Sequence, residues 1–163
     1  MLGIVRGGKN YYGLAIGILM LETKFPRIPG ELGNATTWNF PVLYKVVKGA
    51  SPQRVVREND PSLLEPFLEA ARELEREGVR AITTSCGFLA MFQKEMAAAV
   101  NIPVFTSTLL MVPLVHKMLR PEQKVGIITV NSQTLDPIDI CKVPACRRYS
   151  CCDYRVRIRD RIC

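Results

Sequence analysis

An apolar run at residues 14–21 constrains the fold more than any other feature of this 163-residue sequence. It has the length of a strand and lacks polar alternation, so it indicates a strand buried on both faces of a parallel sheet. Four further strands are predicted downstream, and three segments with apolar residues at helical spacing lie between them. The strands are 42–47, 79–83, 102–105 and 124–130, and the helices are 60–78, 87–100 and 109–119. We therefore predict an α/β fold, with a parallel sheet flanked by helices on both sides.

Ligands of such sheets bind beyond the carboxyl ends of the strands. Four stretches lie there: Glu22, 83–87, 106–108 and 131–134. Glu22 also opens a long segment, 22–41, that is rich in Pro, Gly, Asn and Thr. We interpret it as a loop, and loops of this length in compact domains commonly carry function.

Composition divides the chain into a body and a tail. Residues 139–163 hold seven of the 22 Lys and Arg residues and three Asp. They also hold five of the six cysteines, namely Cys141, Cys146, Cys151, Cys152 and Cys163. We therefore expect an α/β lobe over residues 1–138 and an irregular Cys/Arg-rich tail over 139–163. So abrupt a change indicates a shifted reading frame or a truncated gene.

Charge and hydropathy argue against several classes of partner. With the tail set aside, the body has 15 basic and 12 acidic residues, which leaves no basic stripe for nucleic acid. No apolar run approaches the ~20 residues of a membrane span, and the run at 14–21 lacks a signal-peptide cleavage site. We expect a cytoplasmic protein with no nucleic-acid or membrane partner. Cys146 and Cys151 have a marginal zinc spacing, so a solvated tail without metal is the simpler interpretation.

Cys86 is the only cysteine of the body and lies in Ile82-Thr-Thr-Ser-Cys-Gly-Phe88, between a predicted strand and a predicted helix. The free N–H groups of that helix would favour the thiolate and could hold a substrate carboxylate. Gly87 allows close approach, and Thr84 and Ser85 add hydroxyl groups. A thiolate beside a carboxylate is suited to α-proton abstraction. From position alone, a small buried apolar group is the more common role of such a cysteine.

Several segments together resemble the aspartate/glutamate racemase family. They are Gly17-Ile-Leu-Met-Leu-Glu22, Phe25-Pro-Arg-Ile-Pro-Gly30, Gly33-Asn-Ala-Thr-Thr-Trp38, Thr83 to Phe88, and Val125-Gly-Ile-Ile-Thr129. The resemblance covers roughly residues 7–137. It implies a pseudo-symmetric, two-lobed α/β enzyme that needs neither pyridoxal phosphate nor metal. Two cysteines then face each other across the substrate, one removing the α-proton and the other returning it from the opposite face.

On this resemblance Cys86 is the catalytic cysteine of the first lobe. The candidate substrate-binding residues are Thr84, Ser85, Gly87, Glu22 and Asn34. The second cysteine should end a strand of the second lobe, and no tail cysteine has that setting. We therefore predict that the second lobe is largely absent and that racemase activity is lost or severely impaired. The surface left uncovered predicts a homodimer or marginal stability.

Two function classes stay open. The first is an enzyme, or enzyme remnant, that acts without cofactor on an amino acid or other small carboxylate through Cys86. Racemases, decarboxylases and cis–trans isomerases all fall within it. The second is a non-catalytic α/β module that binds a small carboxylate anion. A depressed thiol pKa with fast alkylation favours the first, and an inert buried thiol favours the second.

Overall fold

The computed structural model describes residues 7–135 and the strand Val156–Asp160. Its main sheet has four parallel strands in the order β2-β1-β3-β4. They are β1 (Ile16–Met20), β2 (Val42–Val46), β3 (Ala81–Thr84) and β4 (Val104–Phe105). Helices flank the sheet, so the predicted α/β class is confirmed. The central strand β1 is buried as expected, with Ile18 and Leu19 fully shielded from solvent.

Three helices follow β2, β3 and β4, and each continues a 3₁₀ segment. They are α1 (Leu64–Glu77), α2 (Gln93–Ala99) and α3 (Val112–Lys117). The 3₁₀ segments are Pro61–Leu63, Gly87–Phe92 and Thr108–Met111. Asp60 caps the first of these, since its side chain accepts a hydrogen bond from the Ser62 backbone N–H. Gly78 ends α1 in the left-handed conformation, at φ 95°.

The core lies where α1 and α2 pack on the sheet. Phe67 of α1 is fully buried, and its ring lies 6.0 Å from that of Phe92. At Gly17 the strand β1 approaches α1 so closely that a Cβ would lie 2.9 Å from Leu74 Cδ1. Within the described ranges, 7–135 and 156–160, no helix combines the length and apolarity needed to cross a bilayer.

The predicted loop between β1 and β2 is ordered by its own polar contacts. It contains a short 3₁₀ helix, Ala35–Thr37. The Trp38 indole N–H donates to the Leu32 carbonyl at 3.2 Å, and the Tyr44 hydroxyl donates to the same oxygen at 2.9 Å. These bonds tie the loop to β2.

The fifth strand, β5 (Val125–Thr129), does not join the main sheet. It pairs in parallel with β6 (Val156–Asp160), from Val125 opposite Val156 to Thr129 opposite Asp160. The sequence predicts no strand in the tail, so β6 is a departure from that expectation. The Arg-Val-Arg-Ile-Arg alternation is too short to bury a face alone, but five residues suffice to pair with an open strand edge.

The remainder of the predicted tail lies outside the described residues. This holds for residues 139–155 and 161–163, and therefore for all five tail cysteines; residues 136–138 of the predicted lobe also lie outside the described residues. The boundary at residue 138 and the absence of zinc from the tail stay predictions.

Candidate active site around Cys86

Cys86 lies at the junction between β3 and the 3₁₀ segment Gly87–Phe92, where the sequence predicts it. It is a free thiol, partly buried, and occupies the N-cap position in an extended conformation. The preceding residue holds the junction in place. The Ser85 N–H donates to the Leu19 carbonyl at 2.9 Å, and the Leu21 N–H donates to Ser85 Oγ at 3.1 Å. The thiol is thereby fixed at the carboxyl end of the two central strands.

A cavity of about 540 Å³ opens beside the thiol. Its walls are the Cys86 junction, the segment from Ser107 through α3, and β5. Most of the lining is aliphatic, with Leu109, Val112 and Ile127 among its buried members. Ser85, Cys86, Ser107, Thr108 and Thr129 supply the side-chain polar atoms. No charged side chain lines it among the residues that the structure describes.

Two opposing effects act on the Cys86 thiol. Burial raises its pKa and is the larger effect, while hydrogen bonds from the backbone N–H groups of Phe88 and Leu89 lower it. The net result is a pKa above the ordinary thiol value. The sequence predicts that the helix N-terminus favours the thiolate. The two amides do act in that direction, but desolvation of the anion outweighs them.

Two of the predicted substrate-binding residues line the cavity with Cys86, namely Ser85 and Gly87. Thr84 is next to them in sequence but is buried between the ends of β3 and β4. Its hydroxyl donates to the Thr106 carbonyl at 2.6 Å and contacts the Cys86 carbonyl at 3.1 Å. Thr84 therefore links the ends of β3 and β4 and does not face the cavity.

Glu22 and Asn34 are not brought to the cavity. Glu22 Oε2 accepts a hydrogen bond from the Gly49 N–H at 2.9 Å, which joins the loops that follow β1 and β2. Asn34 Oδ1 accepts from the Thr36 N–H at 2.9 Å, and its Nδ2 donates to the Arg27 carbonyl at 2.7 Å. Both side chains are used in loop structure, which their position in the sequence alone does not reveal.

Ser107 and Gln93 are absent from the predicted site. Gln93 is buried at the start of α2, and its Nε2 donates to the Val104 carbonyl at 2.9 Å. Its Oε1 accepts from Thr106 N at 3.0 Å and from Thr106 Oγ1 at 2.8 Å. Gln93 thus holds the end of β4, from which Ser107 enters the cavity. The sequence contains two signals of this arrangement: an amide side chain in the mainly apolar helix 87–100, and the position of residues 106–108 after a predicted strand.

The chain is similar to two curated lyases. It is 30% identical over 131 residues to a dimethylsulfoniopropionate lyase of Durusdinium sp. clade D, a match that covers 79% of this chain and 44% of that protein. It is 26% identical over 125 residues to dimethylsulfoniopropionate lyase 7 of Emiliania huxleyi, covering 76% of this chain and 37% of that protein. The chain spans less than half the length of either relative.

Among solved structures, glutamate racemase from Aquifex pyrophilus superposes on this chain with a TM-score of 0.55 at 17% identity. The superposition covers 90% of this chain and 54% of the racemase. No protein-family model matches the sequence. The chain therefore shares its α/β fold with a glutamate racemase, as the sequence resemblance implies.

Proposed function

We propose that the cavity binds a small carboxylate and that Cys86 removes the proton on the carbon next to it. The observation that carries the proposal is the position of the thiol. It lies at the carboxyl end of the central strands and lines the cavity, next to the start of the 3₁₀ segment Gly87–Phe92. The same first step serves racemases and lyases alike, since both form a carbanion-like centre beside a carboxylate.

Elimination fits this lobe better than racemisation does. Racemisation needs a second group to return the proton from the opposite face. Elimination needs one base, provided that the leaving group departs without a proton. A sulfonium group meets that condition because it leaves as a neutral sulfide. One cysteine is then sufficient for the proton transfer.

We propose dimethylsulfoniopropionate as the substrate, because both relatives are named as lyases of this compound. The Cys86 thiolate takes the α-proton, and the electron pair of the C–H bond forms a double bond between the α and β carbons. The β carbon–sulfur bond breaks, and its electron pair leaves with dimethyl sulfide. The products are acrylate, dimethyl sulfide and a protonated Cys86, which returns its proton to solvent. The aliphatic cavity wall suits the methyl groups on sulfur, which donate no conventional hydrogen bonds.

The test is the release of acrylate and dimethyl sulfide from dimethylsulfoniopropionate, measured by liquid and gas chromatography. We expect turnover by the wild-type chain and a loss of about a hundredfold or more in Cys86→Ala, because general-base catalysis contributes at least that much. A variant with all five tail cysteines changed to serine keeps Cys86 and is the matched control. Full activity in Cys86→Ala would sink the proposal. So would loss of activity in the tail variant alone.

The alternative is a module that binds a carboxylate without turning it over. The raised pKa of Cys86 favours it, since a thiol that stays protonated is a poor base. The same assay separates the two functions. Binding of propionate without any release of acrylate from dimethylsulfoniopropionate identifies the module.

A further inference from the structure

The hydroxyl of Ser107 faces the same cavity as Cys86 from the neighbouring strand. Ser107 follows β4, which pairs with β3 through Ile82 opposite Val104 and Thr83 opposite Phe105. The two residues therefore leave adjacent strands at the same edge of the sheet. Gly87, the residue after Cys86, lies close to Ser107: a Cβ added at Gly87 would be 3.4 Å from Ser107 Oγ.

The position of Ser107 is determined by buried polar contacts. Thr106, its predecessor, is 1% exposed and is held by Gln93 through both its N–H and its hydroxyl. Its carbonyl accepts the Thr84 hydroxyl at 2.6 Å. Breaking any of these bonds would leave a buried polar group without a partner, which is costly. The segment that carries Ser107 is consequently rigid.

The hydrogen bonding of Ser107 leaves its donor available. The residue is only 6% exposed, yet it lines the cavity. Its oxygen accepts the Leu109 N–H at 3.1 Å, the one bond that the structure gives this hydroxyl. That bond orients the oxygen, and the hydroxyl proton has no acceptor among the described residues. This donor is therefore available to a water molecule or to a ligand in the cavity.

We infer that Ser107 binds the substrate carboxylate, with its hydroxyl donating to a carboxylate oxygen on the side of the cavity that faces Gly87. This inference rests on the proposed function. It assigns to Ser107 the placement of the acidic C–H bond relative to the Cys86 thiol. Ser85 Oγ lines the same cavity and already accepts the Leu21 N–H, so it can donate to the second carboxylate oxygen.

The test is a matched pair of variants, Ser107→Asn and Ser107→Asp. Both side chains cap the following 3₁₀ turn about as well as serine, so a purely structural role would treat them alike. Asparagine keeps a donor for the carboxylate, whereas aspartate has none and repels it. The readout is protection of Cys86 from iodoacetamide by propionate, scored by mass spectrometry on the tryptic peptide 81–94, which contains no other cysteine.

We expect propionate to protect the wild type and Ser107→Asn at similar concentrations. Ser107→Asp should need at least about tenfold more propionate, because hydrogen bonds to charged groups are worth that factor or more. Propionamide, which has the same shape without the charge, should protect none of them. Because each variant is compared with its own unprotected rate, a changed thiol reactivity does not disturb the comparison.

A second variant keeps the test decisive if Ser107→Asp does not fold. Gly87→Ala places a methyl group against Ser107 Oγ at an ordinary contact distance, and Gly87 has no positive φ that would strain an alanine. In the wild-type background, Gly87→Ala should weaken the protection of Cys86 by propionate. In the Ser107→Ala background, it should cause no additional weakening. The inference about Ser107 would be overturned if propionate protected Ser107→Asn and Ser107→Asp equally, or if the effects of Gly87→Ala and Ser107→Ala were additive. The proposed function would not be affected by either result. If propionate fails to protect even the wild type, the proposed function falls with it.

Discussion

The protonation state of Cys86, the base in our proposed reaction, depends on what surrounds the thiol. In the open cavity the larger influence is burial, which raises its pKa, and the amides of Phe88 and Leu89 offset this only in part. A general base is effective only in its deprotonated form. We therefore expect the proposed lyase activity to increase with pH through and beyond the range in which an ordinary thiol titrates.

The pH dependence of alkylation measures this directly. Iodoacetamide modification of Cys86 is followed on peptide 81–94 of the folded chain. The rate should reach its half-maximum at a higher pH than in the same chain unfolded in urea, where thiols titrate at about 8.5. The urea sample is the matched control because the peptide and its neighbours in sequence are identical. A midpoint in the folded chain at or below the urea value would contradict the burial effect.

At the scale of elements, the loop between β2 and α1 is held by a charged network at the start of the helix. Arg54 Nε donates to Asp60 Oδ2 at 2.8 Å, and the Arg54 guanidinium also donates to the Gly49 carbonyl at 2.9 Å. Asp60 in turn caps the segment that leads into α1 through Ser62. Hydrogen bonds from Ser62, and then from Arg54, lower the pKa of the Asp60 carboxyl. One carboxylate thereby connects two elements.

The lowered pKa predicts an acid-sensitive contribution to stability. A carboxyl whose pKa is lower in the folded chain than in the unfolded chain contributes its full stabilisation at pH values above the unfolded pKa, which is about 4. This stabilisation is lost as the pH falls through the folded pKa. Asp60→Asn still caps the helix but no longer pairs with Arg54. The wild type should be the more stable at pH 7, and this difference should shrink on acidification below pH 4. Urea unfolding of both chains across that range is the measurement, and a difference that does not change with pH would contradict the linkage.

Local pattern and pairing behave differently at this scale. All five strands and all three helices predicted from periodicity are present, because each is specified by residues close together in the chain. The placement of β5 is different. Its Val-Gly-Ile-Ile-Thr sequence is as strand-like as that of β1, yet it pairs with β6 instead of extending the main sheet. The partner of a strand depends on which strand edge lies next to it in the folded chain. A local sequence pattern does not specify that neighbour.

Considered as a whole, the molecule has an uncovered apolar face beside the cavity. Ile128 of β5 and Val130, which follows the strand, are 78% and 67% exposed, and both line the cavity. Isolated domains seldom leave large apolar side chains together in solvent. We propose that a second copy of this chain covers it here.

Sedimentation velocity tests this association. The wild type should sediment as a dimer whose population rises with concentration, and the double variant Ile128→Lys with Val130→Lys should be monomeric, because charge on that face opposes its burial. Val46→Lys, at an apolar site on the edge strand β2 that is 52% exposed, is the control and should leave the dimer intact. A wild-type chain that stays monomeric at high concentration rules out the second copy.

The sequence by itself determined the α/β class, the approximate positions of β1 to β5 and of the three helices, and the setting of Cys86 between β3 and a helix. Those features depend on local periodicity and on residues that cap, turn or break a helix. Only the tertiary structure decided that Glu22 and Asn34 serve their loops, that Thr84 faces Thr106, and that Ser107 faces the cavity. It also decided the direction of the thiol pKa, because desolvation depends on packing by distant residues. Local pattern specifies which residues reach the edge of a sheet, and packing decides which of them meet there.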